Sequence, residues 1–100
     1  MNLIGRKQYV PRRSLFETRM DILRAISEGS AKPTHIMHRS NTCWKILQEN
    51  LQALKETGLV RQDTGSSDRI EYAVTEKGTE VVGDYLELLG SMEHRTIEAT

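Results

Sequence analysis

The sequence predicts an α+β domain, mainly helical, made of three helices, a β-hairpin and a C-terminal helix. Three observations predict it. Apolar residues recur at intervals of three and four over separate stretches, as the buried stripe of a helix requires. The turn-forming run DTGSSD, Asp63 to Asp68, separates two short segments of strand character. Gly29 and Gly58 stand where two of the helical patterns stop. At 100 residues with 37% hydrophobic content, the chain has material for one modest core, and a second copy would add buried surface.

Residues 1–13, MNLIGRKQYVPRR, mix four cations with Gly5 and Pro11 and show no period, so they read as a basic arm. Ser14 opens the first helix: its hydroxyl can cap the start, and Glu17 can reach back three positions to complete a capping box. Leu15, Ile22 and Ile26 form the buried stripe, flanked by Phe16 and Leu23, and the pattern ends at Gly29. Pro33 suits the first turn of a short second helix, PTHIMHRS, because its missing N–H would have no partner there. Ile36 and Met37 are its apolar anchors. Ser40, Asn41 and Thr42 favour turns and helix caps, so a third helix follows within a few residues, at helix-turn-helix spacing.

In that third helix Trp44, Leu47, Leu51 and Leu54 fall on one side and are expected to face the core. Thr42, Lys45, Glu49, Gln52 and Glu56 fall opposite, with Gln48 at the margin. Such a face also suits an ordinary solvated helix, so its meaning depends on its surroundings. Trp44 is expected in the core, not as a platform for stacking bases.

After Gly58, Leu59 to Asp63 reads as a strand, and Arg69 to Val74 alternates with Ile70, Tyr72 and Val74 on one side. Thr75 then caps the last helix, whose first turn carries Glu76, a charge the helix dipole favours there. Val81, Val82, Tyr85, Leu86, Leu88, Leu89 and Met92 give this helix an apolar arc too wide for one contact. Gly78, Gly83 and Gly90 each weaken it by up to about 1 kcal/mol relative to Ala. One side is expected to pack on the domain and another, through Val82, Tyr85, Leu86, Leu89 and Met92, on a second copy. The alternative is that all seven apolar residues belong to one chain's core. The organisation expected is an arm at 1–13, a domain at 14–75, and a C-terminal dimerisation helix with a polar tail at 76–100.

Formal net charge is zero, but residues 1–45 carry nine Lys or Arg against three acids, a local +6 that the rest of the chain offsets. This asymmetry suits an oriented polyanion, and equally a solvated surface that pairs with itself. No run approaches the roughly 18 apolar residues of a membrane span, and Cys43, the single cysteine, has no intrachain partner for a disulfide. The expectation is a soluble, cytoplasmic protein with no membrane association. His35 and His38 stand three apart, with Cys43 five further on, but no second ligand pair completes a recognised spacing. No Gly-rich phosphate loop, nucleophile elbow or metalloprotease signature occurs. The reading is therefore not an enzyme, with no metal and no cofactor.

Helix, short helix, turn, longer helix, strand, polar tip, strand, helix is the order of a winged helix-turn-helix domain. ILRAISEGSAKPTHIMHRSN, LQENLQALKETGLV and YAVTEKG resemble the small archaeal winged-helix proteins, a likeness covering about Glu17 to Leu89. The resemblance implies a DNA-binding regulator or chromatin-associated protein, and some members dimerise through a long C-terminal coiled coil. It also implies that the third helix enters the major groove of double-stranded DNA. On this phase Asn41 and Thr42 would hold a phosphate, Lys45 a guanine or phosphate, and Gln52 an adenine edge, with Gln48 beside them. Lys32, Thr34, His35, His38 and Arg39 would contact the flanking backbone, Arg39 foremost. Arg69, beside Ser66 and Ser67, could reach the minor groove, while Arg6, Lys7, Arg12 and Arg13 could add sequence-independent affinity. The second reading is a winged-helix module that binds another protein without binding DNA.

Overall fold

The computed structural model describes residues 13–64 and 69–93. Its elements are α1 (Leu15–Ser27), α2 (Pro33–Ser40), α3 (Trp44–Glu56), β1 (Val60–Thr64), β2 (Ile70–Val74) and α4 (Glu76–Glu93). The expected mainly helical α+β architecture and its element order are therefore present, with strand limits shifted by one residue. Residues 1–12, the hairpin tip with Ser66, Ser67 and Asp68, and residues 94–100 lie outside the described residues.

The capping box at α1 forms in full: the Ser14 hydroxyl accepts from the Glu17 N–H at 3.0 Å, and the Glu17 carboxylate accepts from the Ser14 N–H at 3.0 Å. At the other end of α1, Gly29 takes φ +117°, a conformation that costs a residue without Cβ little. Pro33 opens α2 as expected, and α2 closes on Asn41 in the left-handed region at φ 56°. β1 and β2 pair antiparallel with Val60 opposite Val74 and Thr64 opposite Ile70. The Tyr72 N–H donates to the Ala31 carbonyl at 2.9 Å, which ties β2 to the connection between α1 and α2.

One core joins all the elements. Ile22, Leu23 and Ile26 of α1 meet Ile36 of α2, Leu47, Leu51 and Leu54 of α3, Val60 and Tyr72 of the sheet, and Val82 of α4. Burial pushes the Tyr72 phenol above its ordinary pKa, so it stays protonated.

Three apolar residues expected inside lie outside. Leu15 and Trp44 share the angular phase of their helices' buried stripes, yet they are 59% and 53% exposed. Each occupies the first position of its helix, where the stripe runs past the end of the core. Ile70 is exposed for the same reason, at the far end of β2 from Val74.

The junction of α3, the sheet and α4 is closed by backbone and Thr75 contacts. The Thr75 hydroxyl donates to the Gly58 carbonyl at 2.6 Å and accepts from the Gly78 N–H at 3.1 Å, which is the expected cap. The Thr75 N–H donates to the Leu59 carbonyl at 3.1 Å. Gly78 is therefore not a simple weakness in α4: a Cβ there would collide with the Leu59 carbonyl oxygen and Val74 Cγ1. Gly83, by contrast, has open space around it. We expect Gly78→Ala to lower unfolding free energy by about 1–3 kcal/mol through overpacking. Gly83→Ala should raise it by up to about 1 kcal/mol through helix propensity. Urea denaturation of the two variants beside the wild type reads both signs.

Candidate nucleic-acid interface

The rotation of α3 about its axis decides which residues reach a partner. Leu47, Leu51 and Leu54 are buried, and Asn50 joins them on the inward side. The Asn50 amide donates to the Ile46 carbonyl at 2.8 Å, and its carbonyl oxygen accepts from Arg19 Nε at 2.9 Å. A buried polar side chain is thus satisfied by a specific α1–α3 link, which sets rotation more sharply than apolar contact alone. Lys45, Glu49, Gln52 and Glu56 consequently stand exposed on the far side, with Gln48 half-buried at the margin. Lys45 forms no salt bridge among the described residues. The Gln52 amide donates one of its two N–H groups to the Glu56 carboxylate at 3.0 Å along the helix.

The turn before α3 is braced from α1. Arg13 Nη1 donates to Asp21 Oδ2 at 2.6 Å and to the Ser40 carbonyl at 2.7 Å, while Nη2 donates to the Asn41 carbonyl at 2.6 Å. These carbonyls end α2, where the helix leaves acceptors unpaired and its dipole favours a cation. Ser40 is buried: its hydroxyl bonds to the Ile36 carbonyl at 2.6 Å and lies 3.0 Å from Thr42 Oγ1. Asn41 is exposed and Thr42 half-buried beside the start of α3. Cys43 occupies the N-cap of α3 without a side-chain bond, so no side chain caps the first-turn N–H groups.

The remaining cations divide into held and exposed. Arg39 Nη2 lies 2.7 Å from Glu28 Oε1 and must leave or share that ion pair to meet a phosphate. Arg13 likewise serves the turn, which corrects its assignment to the arm's backbone contacts. Lys32 is half-buried at the N-cap of α2, and Thr34, His35 and His38 are exposed along that helix. On the hairpin Arg69 is exposed, and Arg61 pairs with Asp63 at 3.3 Å. The outward side of α3 therefore carries Lys45, Glu49, Gln52 and Glu56, with Gln48 at its margin, and Asn41 and Thr42 precede it in the turn. No three His, Cys, Asp or Glu side chains converge as a metal site among the described residues, and no described helix is long and apolar enough to cross a membrane.

α4 departs from its expected division of labour. Val82 is 6% exposed and sits in the chain's own core, which removes it from the expected interface set. Tyr85 is half-buried, packing edge-on against Phe16 with ring centroids 5.8 Å apart. Leu86, Leu88 and Met92 remain exposed and Leu89 half-buried. A mostly apolar groove of about 240 Å³ lies between α1 and α4, lined by Phe16, Met20, Val81, Tyr85 and Leu88, with Asp84 also on its wall.

Arg19 and Asn50 are the contributors that sequence reasoning did not single out, and the bonds of Arg13 to the Ser40 and Asn41 carbonyls were not expected. Asn50 had a signal, a polar residue in phase with Leu47 and Leu54, but its partner Arg19 lies 31 positions away. Arg13→Ala should lower stability by about 1–3 kcal/mol, because it leaves carbonyls at the turn unpaired and removes a charge-assisted bond. Arg13→Lys should restore only part of this, since an ammonium cannot span both carbonyls with a planar fork. Urea midpoints of the two variants measure the difference.

Solved structures with this fold come from several regulators. FabT from Streptococcus pneumoniae, solved in complex with DNA, superposes with a TM-score of 0.72 at 15% identity, over 82% of this chain and 59% of FabT. The transcriptional regulator BldR from Sulfolobus solfataricus gives 0.70 at 22% identity, over 83% of this chain and 61% of BldR. This chain thus spans about three fifths of each, and at these identities the likeness is one of fold. Sso10a-2, a DNA-binding protein from Sulfolobus solfataricus, gives 0.69 at 25% identity, over 87% of this chain and 90% of its own length. No curated protein matches the sequence. The sequence profile of the winged helix-turn-helix family matches residues 12–93, and the chain belongs to that family.

Proposed function

We propose that this chain binds double-stranded DNA as a homodimer and acts as a transcriptional regulator or chromatin-type protein, with α3 in the major groove. One observation carries the reading: the α1–α3 core and the Arg19–Asn50 bond hold α3 so that Lys45 and Gln52 project from the protein, with Gln48 at the margin. Around them, Asn41, Thr42 and the first-turn N–H groups of α3 offer short donors to a phosphate. The solved relatives lend support, FabT having been crystallised with DNA and Sso10a-2 being described as a DNA-binding protein. Lys32, Thr34 and His35 flank this face, Arg69 extends it on the hairpin, and Arg39 joins when it exchanges Glu28 for phosphate.

The second reading, a protein-binding module without DNA contact, is favoured by the exposed carboxylates of Glu49 and Glu56 and by the engagement of Arg39 with Glu28. A salt titration of duplex binding separates the two. Phosphate contacts make log affinity fall linearly with log salt, by about 0.9 per contact. Lys45→Ala should flatten the slope by about that amount, and an unchanged slope would remove Lys45 from the interface. A flat titration for the wild type would leave the protein-binding reading.

For the dimer, Leu86, Leu89 and Met92 supply the apolar face of α4 left by the core, with Tyr85 at its edge. Symmetric copies reading successive turns of B-form DNA place their α3 helices about 34 Å apart. Replacing Leu86 and Met92 together by Glu should reduce the sedimentation mass from two chains to one, with the fold retained by circular dichroism.

A further inference from the structure

We infer that Trp44 is the apolar reader of this interface, covering thymine methyl groups in the major groove; the inference rests on the DNA-binding reading above. Trp44 is the only tryptophan in the chain, and it is 53% exposed on the first turn of α3. The core does not need it there: Leu47, one turn later, is fully buried and begins the inward stripe. On the helix Trp44 lies next to Gln48, four positions on, and Lys45 lies three positions before Gln48, so the indole is continuous with the outward polar row.

Its neighbourhood selects the partner. From Thr42 to Gln48 the chain holds Lys45 and no carboxylate. The first-turn N–H groups beside the indole lack a side-chain cap, so the helix end presents positive potential. A large apolar side chain set among donors and a cation fits a polyanion that also offers an apolar feature. In the major groove of a duplex that feature is the C5-methyl of thymine. A second copy of the chain is the less suited occupant: of the other exposed large apolar residues described, Leu86, Leu88 and Met92 lie on α4, Leu15 and Phe16 on α1 and Ile70 on β2, which leaves Ile46 alone beside the indole on α3.

The single tryptophan makes the test direct. Wild type is titrated with an alternating dA-dT duplex and with its dA-dU counterpart, which differs only by the methyl groups, and binding is read from the anisotropy of a dye on the duplex. Tryptophan emission is recorded in parallel. The expected result is a change in emission at saturating dA-dT duplex and weaker binding of the dA-dU duplex, by about fourfold for each methyl group covered. Trp44→Ala should bind both duplexes alike, and Trp44→Phe should keep part of the preference; circular dichroism checks that each variant is folded. The inference is overturned if emission is unchanged in the saturated complex, or if Trp44→Ala keeps the wild-type ratio between the duplexes. It is also overturned if emission shifts with protein concentration alone, which would place a second copy over the indole. Failure of wild type to bind either duplex removes the DNA-binding reading and this one together, whereas binding without a Trp44 signal removes only this one.

Discussion

The burial of Leu47, Leu51 and Leu54 against α1 is the constraint on which the rest depends. A helix with one apolar stripe still has some freedom to roll, because apolar contact has little directional preference. The Arg19–Asn50 bond removes much of that freedom by adding a directional contact on the inward side. Rolling α3 would break this bond and leave the side-chain carbonyl oxygen of Asn50 without its partner, at a cost of about 1–3 kcal/mol while it stays buried. The outward row from Lys45 to Glu56 is therefore oriented by residues that face the other way.

The same economy appears in the charges. The excess of cations in the first 45 residues suggests an open basic surface. In the fold, Arg13 bonds to Asp21 and the end of α2, Arg19 to Asn50, and Arg39 to Glu28, while Arg24 lies 3.9 Å from Glu28. Several of the described arginines that gave the asymmetry thus serve internal architecture. Among the described residues, Lys32, Lys45 and Arg69 are the cations left outside such pairs and bonds. On the outward side of α3, Lys45 stands beside the exposed carboxylates of Glu49 and Glu56, so that row carries no net positive charge.

The element order was legible because its signals are local. Ser14 with Glu17, Pro33, Gly58 and Thr75 each act within a few residues, and each does in the structure what its chemistry suggests. Helical phase also gave the inward and outward sides of α3 correctly for Leu47, Leu51, Leu54, Lys45 and Gln52. Phase alone does not say where a core ends along a helix axis, and for that reason Leu15 and Trp44 were misplaced. Long-range polar pairs were equally hidden, since nothing near Arg13 indicates that the carbonyls of Ser40 and Asn41 will lie beside it. Val82 was assigned to a partner because a wide apolar arc does not reveal which part the chain itself covers.

The seam at Thr75 has a mechanical meaning. Through Gly58, Leu59 and Gly78 it fastens the foot of α3, the base of the hairpin and the head of α4 at a single point, and Lys77 adds a bond to the Thr57 carbonyl at 3.0 Å. The first turn of α4 is thereby anchored to the end of the helix that carries Lys45. That turn cannot shift on its own without breaking the Thr75 bonds to the Gly58 carbonyl and the Gly78 N–H, so the start of α4 and the end of α3 are placed together.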